Sequence, residues 1–290
     1  MTTTDSADLE TRILALAASP EVKDEAAARA LLADFLCALE RGDIRAARPT
    51  DRGWEAVHWV KTGILQTFRV GKTAPFPSEG SGEDGTSGFR FFDRDTLPLR
   101  ETRGVEEQVR IVPGGSSVRA GAHLGANVVI MPPAYVNIGA WVGEGSMVDS
   151  HALVGSCAQV GRGVHLSAGA QLGGVLEPVG LRPVVVEDEA MIGANCGVFE
   201  GVLVGRRAVL APGVNLTAAT VLHDLVNETV HRSSRDAPLS VPDGAVVVPG
   251  SRPAAGDWAR GKGLQLYAPV IVKYRDERTD AATALEEVLR

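Results

Sequence analysis

Residues 118–172 read VRAGAHLGANVVIMPPAYVNIGAWVGEGSMVDSHALVGSCAQVGRGVHLSAGAQL, and an aliphatic residue returns at every sixth place: Val118, Leu124, Ile130, Val136, Val142, Val148, Val154, Val160, Leu166, Leu172. The beat resumes at Val186, Ile192, Val198, Val204, Leu210 and Leu216. A period held this long is the mark of stacked supersecondary units, and a period of six predicts a parallel β-helix. The leading aliphatic points into a narrow prism. The fifth residue of each unit is small or β-branched (Ala122, Val128, Ala134, Ala140, Ser146, Ala152, Ala158, Val164, Ala170), which lets the corner close. Glycine at the fourth place (Gly121, Gly139, Gly145, Gly163, Gly169) permits backbone angles that other residues resist. Three units make one coil, so coils stack every 18 residues at roughly 4.8 Å, the interstrand spacing of a sheet.

Outward from the repeat, the pattern changes. The spacing from Leu172 to Val186 is 14 residues where two units need 12, so a short loop is expected to leave the coil at residues 177–183. HDLVNETVHRSSRDAP after Leu216 reads as a second excursion and VPDGAVVVPGS as a last coil. LQLYAPVIVKY reads as a strand, and residues 276–290 as a terminal helix. Before the repeat, helices are expected over residues 8–18, 24–41 and about 54–68, from apolar residues three and four apart such as Leu31, Leu32, Phe35, Leu36 and Leu39. Gly42 stands where a helix C-terminal glycine belongs. Residues 78–88, SEGSGEDGTSG, read as a loop, and 89–100 as an extended link. The expected division is 1–105 helical, 106–251 β-helix, and 252–290 a strand and helix, with helical ends covering the open coils.

Composition narrows function. The chain has 290 residues, 33 glycines, 5 % aromatics and a formal net charge of −7. That charge argues against nucleic acid or an anionic membrane as the main partner. Three scattered cysteines form neither a disulfide framework nor a zinc pattern. No apolar run reaches the roughly 18 residues needed to span a bilayer, and no secretory signal is visible, so a cytoplasmic protein is expected. His123, His151 and His165 have no close-paired spacing, so no metal is expected.

Particular words are written onto the beat: VRIVP (from Val109), YVNIGA (from Tyr135), MVDS (from Met147), GSCAQVG (from Gly155), VHLS (from Val164) and GGVLEP (from Gly173). Together with GWEAVHWVKTGILQTFR near the start and LYAPVIVKY near the end, they resemble the tetrahydrodipicolinate N-succinyltransferase family over most of the chain. The resemblance implies a left-handed coil, although the usual crossover rule predicts a right-handed one. It implies a homotrimer with active sites between subunits, succinyl-CoA as donor and a cyclic imine dicarboxylate as acceptor, in bacterial lysine and diaminopimelate synthesis. Amine attack on a thioester needs a proton acceptor, cations for the acceptor carboxylates and donors for the oxyanion.

On this resemblance Asp149 is the first candidate catalytic residue and contacts the acceptor, with Glu200 as a second carboxylate. Arg110 is the candidate clamp for an acceptor carboxylate, since a guanidinium can grip one through two parallel hydrogen bonds. Glu177 is a further acceptor-binding candidate, and Gly173 and Gly174 offer backbone groups to the CoA arm. Arg206, Arg207, Arg252, Arg260, Lys262 and Lys273 are cations available to the CoA phosphates. In ANCGVFEG, Gly197 stands where the family carries an acidic residue. Two rivals stay open on sequence: an acyltransferase using acetyl-CoA or another amino diacid, and a catalytically silent β-helix scaffold. Cys157 and Cys196 are expected to be buried rather than reactive.

Overall fold

The computed structural model describes residues 3–51, 53–76, 91–176, 182–234 and 237–275. The hexapeptide beat is a left-handed parallel β-helix with three sheet faces. The first face stacks Arg110–Ile111, Val129–Ile130, Met147–Val148, His165–Leu166, Met191–Ile192 and Val209–Leu210. The second stacks Ser117–Val118, Tyr135–Val136, Leu153–Val154, Gln171–Leu172, Gly197–Val198 and Asn215–Leu216. The third stacks His123–Leu124, Trp141–Val142, Gln159–Val160, Val185–Val186, Leu203–Val204 and Ser240–Val241.

All sixteen aliphatics of the beat are the second residue of a two-residue strand, and all are buried in one continuous core. The small apolar fifth residues line the same core, and Ser146 is buried beside them with its hydroxyl donating to Gly161 O. At the fourth place the backbone turns left-handed: φ is 80° at Gly121, 71° at Gly139 and 72° at Gly169. His151 and Cys157 take the same place and the same conformation (φ 61° and 65°). For residues with a Cβ that region is unusual, so the corner is set by the coil around it.

The first interruption is longer than expected. Gln159 pairs with Val185 and Val160 with Val186, so the stretch after Leu172 is one unit plus eight inserted residues, where two units plus two were expected. The second excursion leaves after Leu216 and forms the antiparallel hairpin Leu222–Asp224 with Thr229–His231. Asp224 is buried beside its turn and accepts hydrogen bonds from Val226 N, Asn227 N and the Tyr274 hydroxyl (3.0, 3.0 and 2.6 Å). Burial alone pushes its carboxyl up, but the bonds from Tyr274, Asn227 and His231 outweigh this and hold it well below the usual carboxylate range.

LQLYAPVIVKY is two strands. Gln265–Tyr267 pairs antiparallel with Ser251–Pro253, and Val270–Tyr274 pairs with Ala245–Val248 on the first face. The short helix Asp257–Gly261, absent from the sequence reading, links Ser251–Pro253 to Gln265–Tyr267. The expected terminal helix and the loop at 78–88 lie outside the described residues.

At the N-terminus three helices form: α1 (Thr3–Ala18), α2 (Glu25–Arg41) and α3 (His58–Val70). Asp24 caps α2 by accepting from Ala27 N, and Gly42 ends it in the left-handed region (φ 79°). The third helix starts later than expected, because Gly53–Ala56 is a strand paired with Ala47–Thr50. Phe91–Arg94, expected as a plain link, pairs with Thr73–Phe76.

These helices do not cover an open coil end. They pack on the flank, where Leu31, Phe35, Leu39, Val60 and Ile64 share a core with Ala120, Ile138 and Cys157 from three successive coils. The first coil is covered instead by extended chain: Arg100 N donates to Val118 O and Ala120 N to Pro98 O. No described helix is long and apolar enough to cross a membrane.

Candidate functional site

Outward side chains come from the sixth and second places of each unit, on either side of the buried aliphatic. On the third face the sixth-place column is His123, Trp141, Gln159, Val185 and Leu203, and the N-terminal part docks on it. His123 stacks on Trp141 with ring centroids 3.8 Å apart, and its Nδ1 lies 2.8 Å from Glu40 O. The Arg45 guanidinium sits 3.7 Å from the centre of Trp141, and its Nε donates to Gln159 (3.0 Å). Trp54 Nε1 donates to Glu187 (2.7 Å). Burial holds Arg45 down at about 10 and holds the His123 imidazole below its ordinary value.

The second face carries a different set. Its outward pairs run Ser117/Arg119, Tyr135/Asn137, Leu153/Gly155, Gln171/Gly173, Gly197/Phe199 and Asn215/Thr217. An open hollow of about 390 Å³ lies on its lower part, lined by Tyr135, His151, Leu153 and Gln171 among others. A smaller hollow of about 210 Å³ lies at its upper end beside Arg252, Tyr267 and Thr217. A larger hollow, about 610 Å³, is lined by Thr50, Trp54 and Arg182 among others, and none of the described sequence-predicted site residues line it.

Asp149 follows the first-face strand Met147–Val148, at the corner leading to the second face and two residues before His151. Its Oδ1 accepts from Ser150 N (2.7 Å), which fixes the carboxylate and leaves Oδ2 outward. His165, one coil on, places Nε2 3.9 Å from that Oδ2. The Nε2 atom is buried and has no hydrogen-bond partner. The 18-residue repeat stacks Met147 under His165 and Asp149 under Ser167, so this diagonal approach is not legible from the repeat alone.

Arg110 lies in the same column as Met147, two coils earlier, and is exposed. Arg110 and His165 thus share the sixth-place column of the first face, three coils apart, while Asp149 lies on the second-place side of Val148, where only His165 approaches it. Glu200 belongs elsewhere, on the corner from the second face to the third. Its Oε2 accepts from Ala218 N (2.9 Å), and its backbone is left-handed (φ 55°) immediately before Gly201 (φ 73°). One chain therefore does not bring Asp149 and Glu200 together at a single corner.

Gly173 N–H donates to Val198 O within the ladder, so it is not free for a ligand. Gly174 is exposed beside it, where the chain crosses the preceding coil and Val175 N donates to Ser156 O. Glu177 lies outside the described residues.

The position of Gly197 is filled from the side. A Cβ there would meet Phe199 Cε2 and Asn215 Oδ1, each at 2.4 Å. A Cβ at Gly173 would meet Phe199 Cδ1 at 2.7 Å. The Phe199 ring thus lies on two glycines of adjacent coils. Sequence reading passed over it, although an aromatic in the column Gly155, Gly173, Phe199 was the signal.

The cations proposed for phosphates are scattered. Arg206 and Arg207 approach Asp188 and Glu189 (3.9 and 3.8 Å), and Arg260 pairs with Asp257. Arg252 borders the upper hollow of the second face. Lys262 follows the short helix, and Lys273 lies on the strand Val270–Tyr274. Cys157 and Cys196 are buried, and burial pushes their thiols up to about 12 and about 11. Among the described residues no three His, Cys, Asp or Glu side chains gather closely enough to hold a metal ion.

Comparison with known proteins converges on one family. Residues 14–70 match the description "Tetrahydrodipicolinate N-succinyltransferase N-terminal", and residues 183–218 match "Hexapeptide repeat of succinyl-transferase". A 2,3,4,5-tetrahydropyridine-2,6-dicarboxylate N-succinyltransferase of Afipia carboxidovorans is 38 % identical over 256 residues, covering 87 % of this chain and 86 % of that one. The enzyme of the same name from Aromatoleum aromaticum is 43 % identical over 270 residues, covering 91 % and 90 %. With its repeat, its helical flank and its near full-length likeness to these enzymes, the chain belongs to the tetrahydrodipicolinate N-succinyltransferase family.

Proposed function

We propose that this N-succinyltransferase moves succinyl from succinyl-CoA to the amine of hydrated tetrahydrodipicolinate, giving N-succinyl-2-amino-6-oxopimelate and CoA in the cytoplasm. The observation that carries this reading is the Asp149 carboxylate, held by Ser150 N and approached by His165 on a β-helix whose first face also carries exposed Arg110, in a chain of this family. A dicarboxylate acceptor needs a cation, and exposed Arg110 supplies one. Its amine needs a proton acceptor, and the outward Oδ2 of Asp149 supplies that. In the step itself the amine lone pair attacks the thioester carbonyl, and the amine proton passes to Asp149. The C–S bond then breaks, and the CoA sulfur leaves as thiolate and takes up a proton. A donor to the thioester oxygen lowers the barrier most, because charge develops there.

The separation of Asp149 and Glu200 on two corners supports a homotrimer. A second copy laid against the open second face brings one chain's Glu200 corner towards another's Asp149 corner. The donor would lie along that interface, with Gly174 offering backbone groups to its arm and cations such as Arg252 facing its phosphates.

The test is thiol release from succinyl-CoA and from acetyl-CoA, each with and without tetrahydrodipicolinate or 2-aminopimelate. Release that depends on succinyl-CoA and the acceptor together is the expected result. Release with acetyl-CoA alone transfers the reading to an acetyltransferase. No release from intact trimer removes the enzymatic reading.

A further inference from the structure

We infer that Phe199 is a specificity-determining residue, the apolar wall that limits the length of the acyl chain, with Gly173 and Gly197 as its bed. The inference rests on the acyl-transfer reading above. Three observations carry it. First, the ring is seated against backbone on two adjacent coils, since a Cβ at Gly173 or Gly197 would lie 2.7 or 2.4 Å from its atoms. Such a ring cannot sink further, because Gly197 is buried and Asn215 closes the next coil. Second, Phe199 is partly buried but not enclosed, so an edge of the ring away from the glycines is available to a ligand. Third, it is the only aromatic in the second-place column of this face, which otherwise runs Arg119, Asn137, Gly155, Gly173 and Thr217.

The place of the ring decides which substrate it meets. It lies on Gly173, the neighbour of Gly174, which the acyl-transfer reading gives to the arm of the thioester donor, while the Glu200 carboxylate is engaged by Ala218 N. The acceptor's carboxylates are matched by Arg110, on the first face. The methylenes of the thioester donor are the part that gains from an aromatic wall. A wall of fixed position discriminates by size, and one methylene in an apolar pocket is worth roughly tenfold or more in kcat/KM.

Gly197 then acts through Phe199. A methyl group at 197 pushes the ring outward and shortens the space, whereas truncation of the ring lengthens it. The two changes move selectivity in opposite directions, which general loss of stability does not do.

The experiment measures kcat/KM for acetyl-, succinyl- and glutaryl-CoA with tetrahydrodipicolinate, in the natural trimer and in Phe199→Ala, Phe199→Leu, Gly197→Ala and the Gly197→Ala/Phe199→Ala double variant. Phe199→Ala is expected to raise the glutaryl-to-succinyl ratio at least about tenfold, and Phe199→Leu about threefold. Gly197→Ala is expected to lower the succinyl-to-acetyl ratio, and to lose that effect in the double variant, where no ring remains to displace. If Phe199→Ala does not fold, Phe199→Leu and Gly197→Ala carry the comparison. Ratios within twofold of the natural chain overturn the inference and leave acyl transfer standing. A shift confined to the preference between tetrahydrodipicolinate and 2-aminopimelate also overturns it, by giving the ring to the acceptor. A natural trimer that turns over none of the thioesters overturns the acyl-transfer reading, and this inference with it.

Discussion

The second and third faces of the β-helix are built from the same six-residue unit, yet one is covered and the other open. Their inward halves are interchangeable: Val136, Val154 and Leu172 on one, Val142, Val160 and Val186 on the other, all fully buried. Their outward halves differ. The third face presents His123, Trp141 and Gln159 in one column, and the N-terminal part answers with Glu40, Arg45 and Trp54. The second face presents Tyr135, Leu153, Gln171 and a glycine pair, and no described element of the chain covers the open hollow above them. The fold is thus a property of the inward places, and the use of each face a property of the outward ones.

Truncating one residue on each face tests this most severely. Trp141 and Tyr135 are sixth-place residues of consecutive units and both are half-buried. Trp141→Ala removes the platform under Arg45 and His123 and is expected to cost about 3 kcal/mol, the lower end for loss of a large aromatic plus its cation contact. Tyr135→Ala is expected to cost less than about 1 kcal/mol, as for a surface change. Denaturant unfolding of both variants, read with a probe in the N-terminal helices, measures the difference. Equal costs would show that docking on the third face contributes nothing special.

Chemistry separates the faces next. Asp149 sits at the corner of the open face, with one oxygen held by Ser150 N and the other outward beside His165. Asp149→Asn keeps the size and the Ser150 contact but removes the proton acceptor. Its kcat is expected to fall at least about 30-fold, some 2 kcal/mol of transition-state stabilisation, with the unfolding midpoint unchanged. Turnover within a few-fold of the natural chain would take Asp149 out of the mechanism.

What could be read from sequence follows the same division. The sixteen aliphatics announced the coil because every inward place obeys one geometric demand, and a repeated demand leaves a repeated letter. The eight-residue insertion after Leu172 was misjudged for the same reason. A beat that resumes says nothing of how many units were passed over; only the pairing of Gln159 with Val185 does. Trp54 was read into a helix because its apolar spacing fits one, whereas its strand is fixed by a partner, Ala47–Thr50, that local spacing does not show. The N-terminal helices were expected over an open end, yet Gly121 and Gly139 leave room on the flank for Leu36 and Ile64. The outward places obey many unrelated demands, so Asp149 is found through motif likeness, Phe199 stands out only against the glycines of its column, and the approach of His165 emerges only in space.

The smallest expected effect is a pH dependence confined to the covered face. His123 is held below its ordinary pKa first by burial, with the Arg100 and Arg45 charges acting the same way. The bond to Glu40 O and the Glu107 charge oppose this. A group with a depressed folded pKa contributes stability that is full above the unfolded value, roughly 6.5 for histidine, and lost as pH falls towards the folded value. Acid should therefore loosen the N-terminal part from the third face below about pH 6.5, before carboxylates such as Asp224 are reached. One group can bend stability by at most about 1.4 kcal/mol per pH unit, so the effect is a change of slope and not a collapse. Stability measured from pH 7.5 to 5 should fall more steeply in the natural chain than in His123→Asn, which cannot take up the proton. Parallel curves would place the acid sensitivity elsewhere. A matching loss of activity over the same interval would mean that the covered face also shapes the open one.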